Sequence, residues 1–160
     1  MKNNIQEIIK QLDMQPHPEG GYYKETYRSM DLCLNGTRSL KTVIYFLLRS
    51  EDVSHFHRIK SDEMWYYHAG SPLIVHSIDE QGNYKEQKVG INFLDGEIPQ
   101  YLVPKNTIFG SSVLEKNSYS LVSCSVSPGF EFEDFELFKQ SELLNQYPSH
   151  SEIITKLTLP

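Results

Sequence analysis

Two of the six histidines, His55 and His57, stand two apart in the run Val53-Ser54-His55-Phe56-His57-Arg58-Ile59. On an extended strand, residues two apart project from the same face, so the two imidazoles are expected to point together. Arg58 to Asp62 reads as a polar turn, and Glu63 then opens a partner strand from which its carboxylate reaches the same place. Two imidazoles and one carboxylate make a three-ligand set for Fe, Mn, Ni or Zn, with open positions for water or substrate. Without a metal, the same groups serve as acids, bases and hydrogen-bond partners. The spacing does not choose between these chemistries. Tyr67, four residues beyond Glu63, shares its face. His55, His57, Glu63 and Tyr67 are therefore the catalytic candidates, and His55, His57 and Glu63 the metal-ligand candidates.

Aromatic rings next to such a centre would wall a pocket for a ring-shaped ligand. Trp65 shares the face of Glu63 and Tyr67. On the earlier strand Tyr22–Arg28, period two places Tyr23, Glu25 and Tyr27 on one face and Tyr22, Lys24, Thr26 and Arg28 on the other, without saying which looks inward. Tyr23, Glu25 and Trp65 are taken as substrate-binding candidates. His17-Pro18-Glu19-Gly20-Gly21 reads first as a tight structural turn. His68, His76 and His150 read as structural or exposed.

These residues need strands to position them. Ten β-branched and aromatic runs are broken by turn chemistry at Asn35-Gly36, Asp79 to Asn83, Asp95-Gly96 and Pro128-Gly129. The expected strands are Tyr22–Arg28, Leu40–Leu48, Val53–Ile59, Glu63–His68, Leu73–Ile78, Tyr84–Val89, Gln100–Val103, Ile108–Val113, Tyr119–Val126 and Phe130–Leu137. The acidic run inside the last one reads as the charged face of an edge strand. Ile5, Ile8, Ile9 and Leu12 form one helical stripe, and the tail from Ser141 turns helical again. The expectation is a single all-β domain over residues 1–160, a barrel or sandwich with short helices at both ends.

Composition narrows the function. The chain has 160 residues and a formal net charge of -6. Its Lys and Arg residues are dispersed rather than clustered, which argues against nucleic acid as a partner. No apolar run approaches the ~20 residues of a membrane span. The two cysteines, Cys33 and Cys124, are too few for a disulfide framework, so the default setting is cytoplasmic. A small-molecule ligand is the expected partner.

His55-x-His57, Glu63 and Gly70 together resemble the first cupin motif, and Pro104-Lys105-Asn106-Thr107-Ile108-Phe109 resembles the second. His17-Pro18-Glu19-Gly20-Gly21-Tyr22-Tyr23-Lys24-Glu25-Thr26-Tyr27-Arg28-Ser29, Thr42 to Leu48 and Lys60-Ser61-Asp62-Glu63-Met64-Trp65 are similar to the small cupin family labelled "predicted sugar epimerase". The likeness runs from about residue 5 to residue 158. It implies a jelly-roll barrel (a double-stranded β-helix), a homodimer, and an isomerase or epimerase acting on a carbohydrate-like substrate. The chain departs from the motifs in four places. The gap from His57 to Glu63 is five residues, Arg49 replaces a glycine, and Asn106 replaces another at a turn that needs positive φ. Phe109 stands where a fourth, histidine ligand would be, so a metal is expected to bind weakly or not at all. Phe109 would then wall the pocket as a substrate-binding residue. Three functions stay open: acid–base or metal-assisted isomerisation, metal-dependent oxygenation, and small-molecule binding without chemistry.

Overall fold

Thr42-Val43-Ile44-Tyr45-Phe46-Leu47-Leu48 is β-branched, aromatic or aliphatic throughout, and the fold uses it inside a sheet, where such side chains pack on both faces. The computed structural model describes residues 2–160. Helix α1 (Lys2–Gln11) leads. The strands follow as β1 (Gln15–Pro16), β2 (Tyr22–Arg28), β3 (Leu32–Cys33), β4 (Arg38–Ser39), β5 (Thr42–Arg49), β6 (Val53–Arg58) and β7 (Asp62–Gly70). After them come β8 (Leu73–Ile78), β9 (Tyr84–Val89), β10 (Gln100–Val103), β11 (Ile108–Val113), β12 (Tyr119–Ser127) and β13 (Glu136–Leu137). Helices α2 (Gln140–Gln146) and α3 (Ser151–Lys156) close the chain.

Two sheets face each other. One runs β1-β2-β5-β12-β7-β10 and the other β13-β6-β11-β8-β9, while β3 and β4 form a separate small hairpin. The strand pairs within the two sheets are antiparallel. The main core lies between the sheets: Phe46, Leu48, Trp65, Val122 and Cys124 from the first meet Leu73, Val75, Val89 and Phe109 from the second. Ile5 with Ile8, Ile9 and Leu12, the expected helical stripe, packs with Met14 and Leu47 on the outside of the six-stranded sheet. Leu143, Ile154 and Leu157 of the tail cover Phe56, Ile78 and Ile108 on the outside of the other. Among the described residues, no helix is long and apolar enough to cross a membrane.

The last expected strand is corrected. Phe130–Leu137 is a strap with a 3-10 turn at Phe132–Asp134 and only two residues of strand. Phe130, Phe132 and Phe135 do not alternate at period two; instead their rings pack edge-on against one another, with centroids 5.0 to 6.3 Å apart. The acidic residues are not a bare edge. Glu131 pairs with Arg28, Glu133 with Arg38, Asp134 with Arg38 and Lys60, and Glu136 with Arg58.

Candidate functional site

Three register breaks decide which side chains face inward. On β6, Phe109 of β11 pairs with His57 and Ser111 with Ser54, so one extra residue is inserted between them. That bulge puts Ser54 and His57 on one face and turns His55 away, because an extra residue inverts the alternation. Gly110 sits opposite the bulge. A Cβ there would lie 2.5 Å from the Ser54 carbonyl oxygen, so only glycine lets the two backbones approach so closely. On β2 a second break falls between Glu25 and Tyr27. Tyr23 and Glu25 look inward before it and Arg28 after it, while Tyr27 is left exposed. A third break, between Leu121 and Val122, lies on the β12–β7 pairing.

The inward side chains enclose a cavity of about 270 Å³ at the end of the barrel under the strap. Its polar lining includes His17, Glu19, Tyr23, Glu25, Arg28, His57, Glu63 and Cys124, with Phe46, Ile59, Phe130 and Phe132 among its apolar walls. Glu19 is the hub. It enters from the His17–Gly21 turn, where Gly20 has φ +113°, and a Cβ on Gly20 would meet the Val53 carbonyl oxygen at 2.1 Å. This contact seats the turn against β6, and the His55 amide donates to the Glu19 carbonyl at 2.7 Å. The Glu19 carboxylate, 7% exposed, accepts from Ser54 Oγ at 2.8 Å through Oε1 and lies 3.2 Å from His57 Nε2 through Oε2.

The hydrogen bonds assign protons. His57 Nδ1 is 2.7 Å from the His55 carbonyl oxygen, which can only accept, so Nδ1 carries a proton. Nε2 then faces a carboxylate oxygen, Oε2 of Glu19, across 3.2 Å. The His57 ring packs against Phe109 and Phe135, with ring centroids 4.2 and 5.2 Å away. His17 differs. Its Nδ1 accepts the Glu19 amide at 3.1 Å, and burial lowers its pKa. The 3.4 Å approach of the same nitrogen to Glu19 Oε2 is thus a contact of a neutral ring and not an ion pair. Glu63, 8% exposed, has its pKa raised to about 8, chiefly by burial and then by the charge of Glu19; the neighbouring Cys124 thiol, hydrogen-bonded to it, pulls the other way. The same burial pushes the Cys124 thiol well up.

His57, Glu63, Tyr23 and Glu25 stand at the cavity; four other sequence candidates do not. His55 is turned outward by the bulge, and its Nδ1 donates to the Glu19 carbonyl at 2.6 Å. Tyr67 shares a face with Glu63 but lies about 13 Å further along the strand at ~3.3 Å per residue; its hydroxyl donates to the Gly70 carbonyl at 2.5 Å. Trp65, between them, is buried core against Phe46 and Phe109. Phe109 is core too, packed behind His57 rather than walling the cavity. Conversely, spacing missed Glu19, His17, Arg28 and Cys124. The acidic residue ahead of Gly20-Gly21 was the available signal, since two glycines allow a turn to press against another strand.

A metal ion fits this donor set poorly. His55, His57 and Glu63 do not converge, Phe109 offers no lone pair, and among the described residues no three His, Cys, Asp or Glu side chains gather as a metal site.

Comparison with known proteins places this geometry in context. Residues 6–138 match the cupin superfamily family DUF985. The chain is 30% identical to the uncharacterized protein YML079W of Saccharomyces cerevisiae, across 89% of this chain and 79% of the yeast protein. It superposes on protein SO0799 of Shewanella oneidensis with TM-score 0.92 at 47% identity, covering 97% of each chain. A hypothetical protein of Leishmania major gives TM-score 0.90 at 44% identity, covering 97% of this chain and 98% of that one. Oxalate decarboxylase of Bacillus subtilis shares the fold alone, with TM-score 0.60 at 17% identity over 91% of this chain and 37% of the enzyme.

Proposed function

From the premise that the chain belongs to the cupin superfamily family DUF985, we propose that it is an isomerase-type enzyme moving a proton next to the carbonyl of a small, hydroxyl-rich substrate. One observation carries this reading. Glu63, whose carboxyl is held neutral up to about pH 8, and the His57 ring with the Glu19 carboxylate 3.2 Å from its Nε2 face the same cavity. A carboxylate of such high pKa is a strong base once ionised, and its pKa is matched to neutral solution.

In this mechanism the ionised fraction of Glu63 takes the proton from the carbon beside the carbonyl. The electrons of that C–H bond become the C=C bond of an enediol, and the carbonyl oxygen receives a proton from His57 Nε2, which Glu19 faces across 3.2 Å. Glu63 then returns its proton to the former carbonyl carbon, while the other enediol hydroxyl gives its proton to His57 Nε2 and becomes the new carbonyl. Ser54 fixes Glu19, and the His55 carbonyl fixes the His57 ring, so neither group reorients during transfer. The strap and the apolar walls keep water from the enediol. The link to carbohydrates rests on the resemblance to the "predicted sugar epimerase" cupins and on the hydrogen-bonding lining.

The test is solvent deuterium wash-in, followed by NMR, across aldoses, ketoses and hydroxy acids. Deuterium should appear at the carbon beside the carbonyl of one class. The rate should climb with pH to a limb near 8 as Glu63 ionises. Glu63→Gln should slow it roughly 10²-fold or more, the usual weight of a general base. Binding without wash-in in any class would replace the enzyme reading with that of a non-catalytic binding module.

A further inference from the structure

We propose that the cavity selects an uncharged or amine-bearing single-ring ligand and rejects phosphorylated, nucleotide-linked and acidic relatives of it, with Glu25 and Glu131 as the selecting residues. This deepens the reading of the cavity as a ligand site and rests on it.

One guanidinium stands at the mouth. Arg28 is the cation among the lining residues, and a cation at the rim of a sugar pocket would ordinarily suggest a phosphate or carboxylate on the ligand. Most of its donors are already used. Nε and Nη2 form a two-pronged contact with Glu25 at 3.0 and 2.9 Å, and Nη2 also donates to the Phe130 carbonyl at 3.1 Å. Nη1 donates to Glu131 at 2.6 Å. Four of the five N–H groups are thus committed, and two carboxylates against one guanidinium leave the mouth with a net negative charge. An anionic ligand would have to displace one of those carboxylates and then sit beside it.

Deeper in, nothing offsets this. Any charge on the His57 ring is already faced by the Glu19 carboxylate, 3.2 Å from Nε2. His17 is neutral, and Glu63 becomes negative only when it ionises. An anion therefore meets repulsion at the rim and no free cation at the floor, in a low-dielectric space that amplifies both effects. Size points the same way. At about 270 Å³ the cavity is at the small end of ligand pockets. It suits one ring, not a sugar joined to a nucleotide. A neutral polyol or an amino sugar can instead hydrogen-bond to Glu25, Tyr23 and Glu131, and an ammonium gains from the excess negative charge.

The experiment uses matched trios of parent sugar, amino sugar and 6-phosphate built on glucose, mannose and galactose. Each is titrated against the His57 ring signal at fixed ionic strength, with the signal assigned by its loss in His57→Gln. In at least one trio the parent and the amino sugar should bind about tenfold or more tighter than the phosphate. In Glu25→Gln/Glu131→Gln, which frees Arg28, that gap should close as phosphate affinity rises about tenfold. A 6-phosphate binding wild type as tightly as its parent overturns the proposal. A gap unchanged in the double variant overturns the assignment to Glu25 and Glu131. If no sugar moves His57, the single-ring reading fails; selective binding without deuterium wash-in would leave this selectivity standing and remove only the isomerase chemistry.

Discussion

Glu63 carries a stability signature distinct from its proposed chemistry. Its folded pKa, about 8, lies far above the ordinary carboxyl value of 4.5. Between those two values the folded state holds a proton that the unfolded chain has released. Stability therefore falls as pH rises from about 4.5 to about 8, and the full penalty is present above that window. Glu63→Gln keeps the shape and removes the ionisation. It should melt roughly 5 °C or more above wild type at pH 9 and within a degree or two of it at pH 5. Equal melting temperatures at pH 9 would show that the carboxyl is better solvated than its surroundings indicate. Activity and stability would then move in opposite directions in one variant, as expected of a site that stores a cost for function. At this scale half of the site was legible. His57 and Glu63 follow from alternation and a hairpin, and Tyr23 and Glu25 from one strand face. Glu19 was not, because its partners Ser54 and His57 lie more than thirty residues away and nothing local in a His-Pro-Glu-Gly-Gly turn says where it docks.

Strands were read well from branched and aromatic runs, and β2, β8, β9, β10 and β11 begin and end where composition says. What sequence could not show is the bulge. Strict period two on β6 sends His55 and His57 to one side, whereas one inserted residue sends Ser54 and His57 there instead. The same device on β2 exchanges Tyr27 for Arg28 at the cavity mouth. Both bulges border the site, where such features commonly re-aim a side chain. Gly110 makes the first of them possible, since a methyl group there would press on the backbone of Ser54, His55 and Phe56, which cannot move aside. Gly110→Ala should cost on the order of 2 kcal/mol or more in urea unfolding. In the folded fraction it should shift the His57 ring resonances, because Ser54 and His57 lose their common face. A variant with wild-type stability and unshifted His57 signals would mean that the bulge holds without its glycine.

The whole molecule is a pair of sheets sealed on the outside by helices from both ends, and the tail seam holds its own titrating group. His76 lies on the outer side of the five-stranded sheet, with Nδ1 2.7 Å from the Tyr84 hydroxyl and Nε2 2.9 Å from Ser112 Oγ. Burial first, and then the charge of Lys156 in α3, lower its pKa to about 4. The unfolded chain thus takes up a proton near 6.5 while the folded one resists until about 4, so stability is lost as pH falls through that interval. In His76→Gln the urea midpoint should depend less steeply on pH between 6.5 and 4 than in wild type; an identical slope would place the acid sensitivity elsewhere. The contacts that build the cavity have a further consequence, for the order of assembly. Ser54 reaches Glu19 across 35 residues, and Arg28 reaches Glu131 across 103. Each such closure costs chain entropy before it returns any contact energy, so pairings this distant are made late and slowly. The pocket's first wall leaves the ribosome long before its last. During synthesis the nascent chain therefore carries an open half-cavity, which is complete only when Phe130 to Phe132 have joined it.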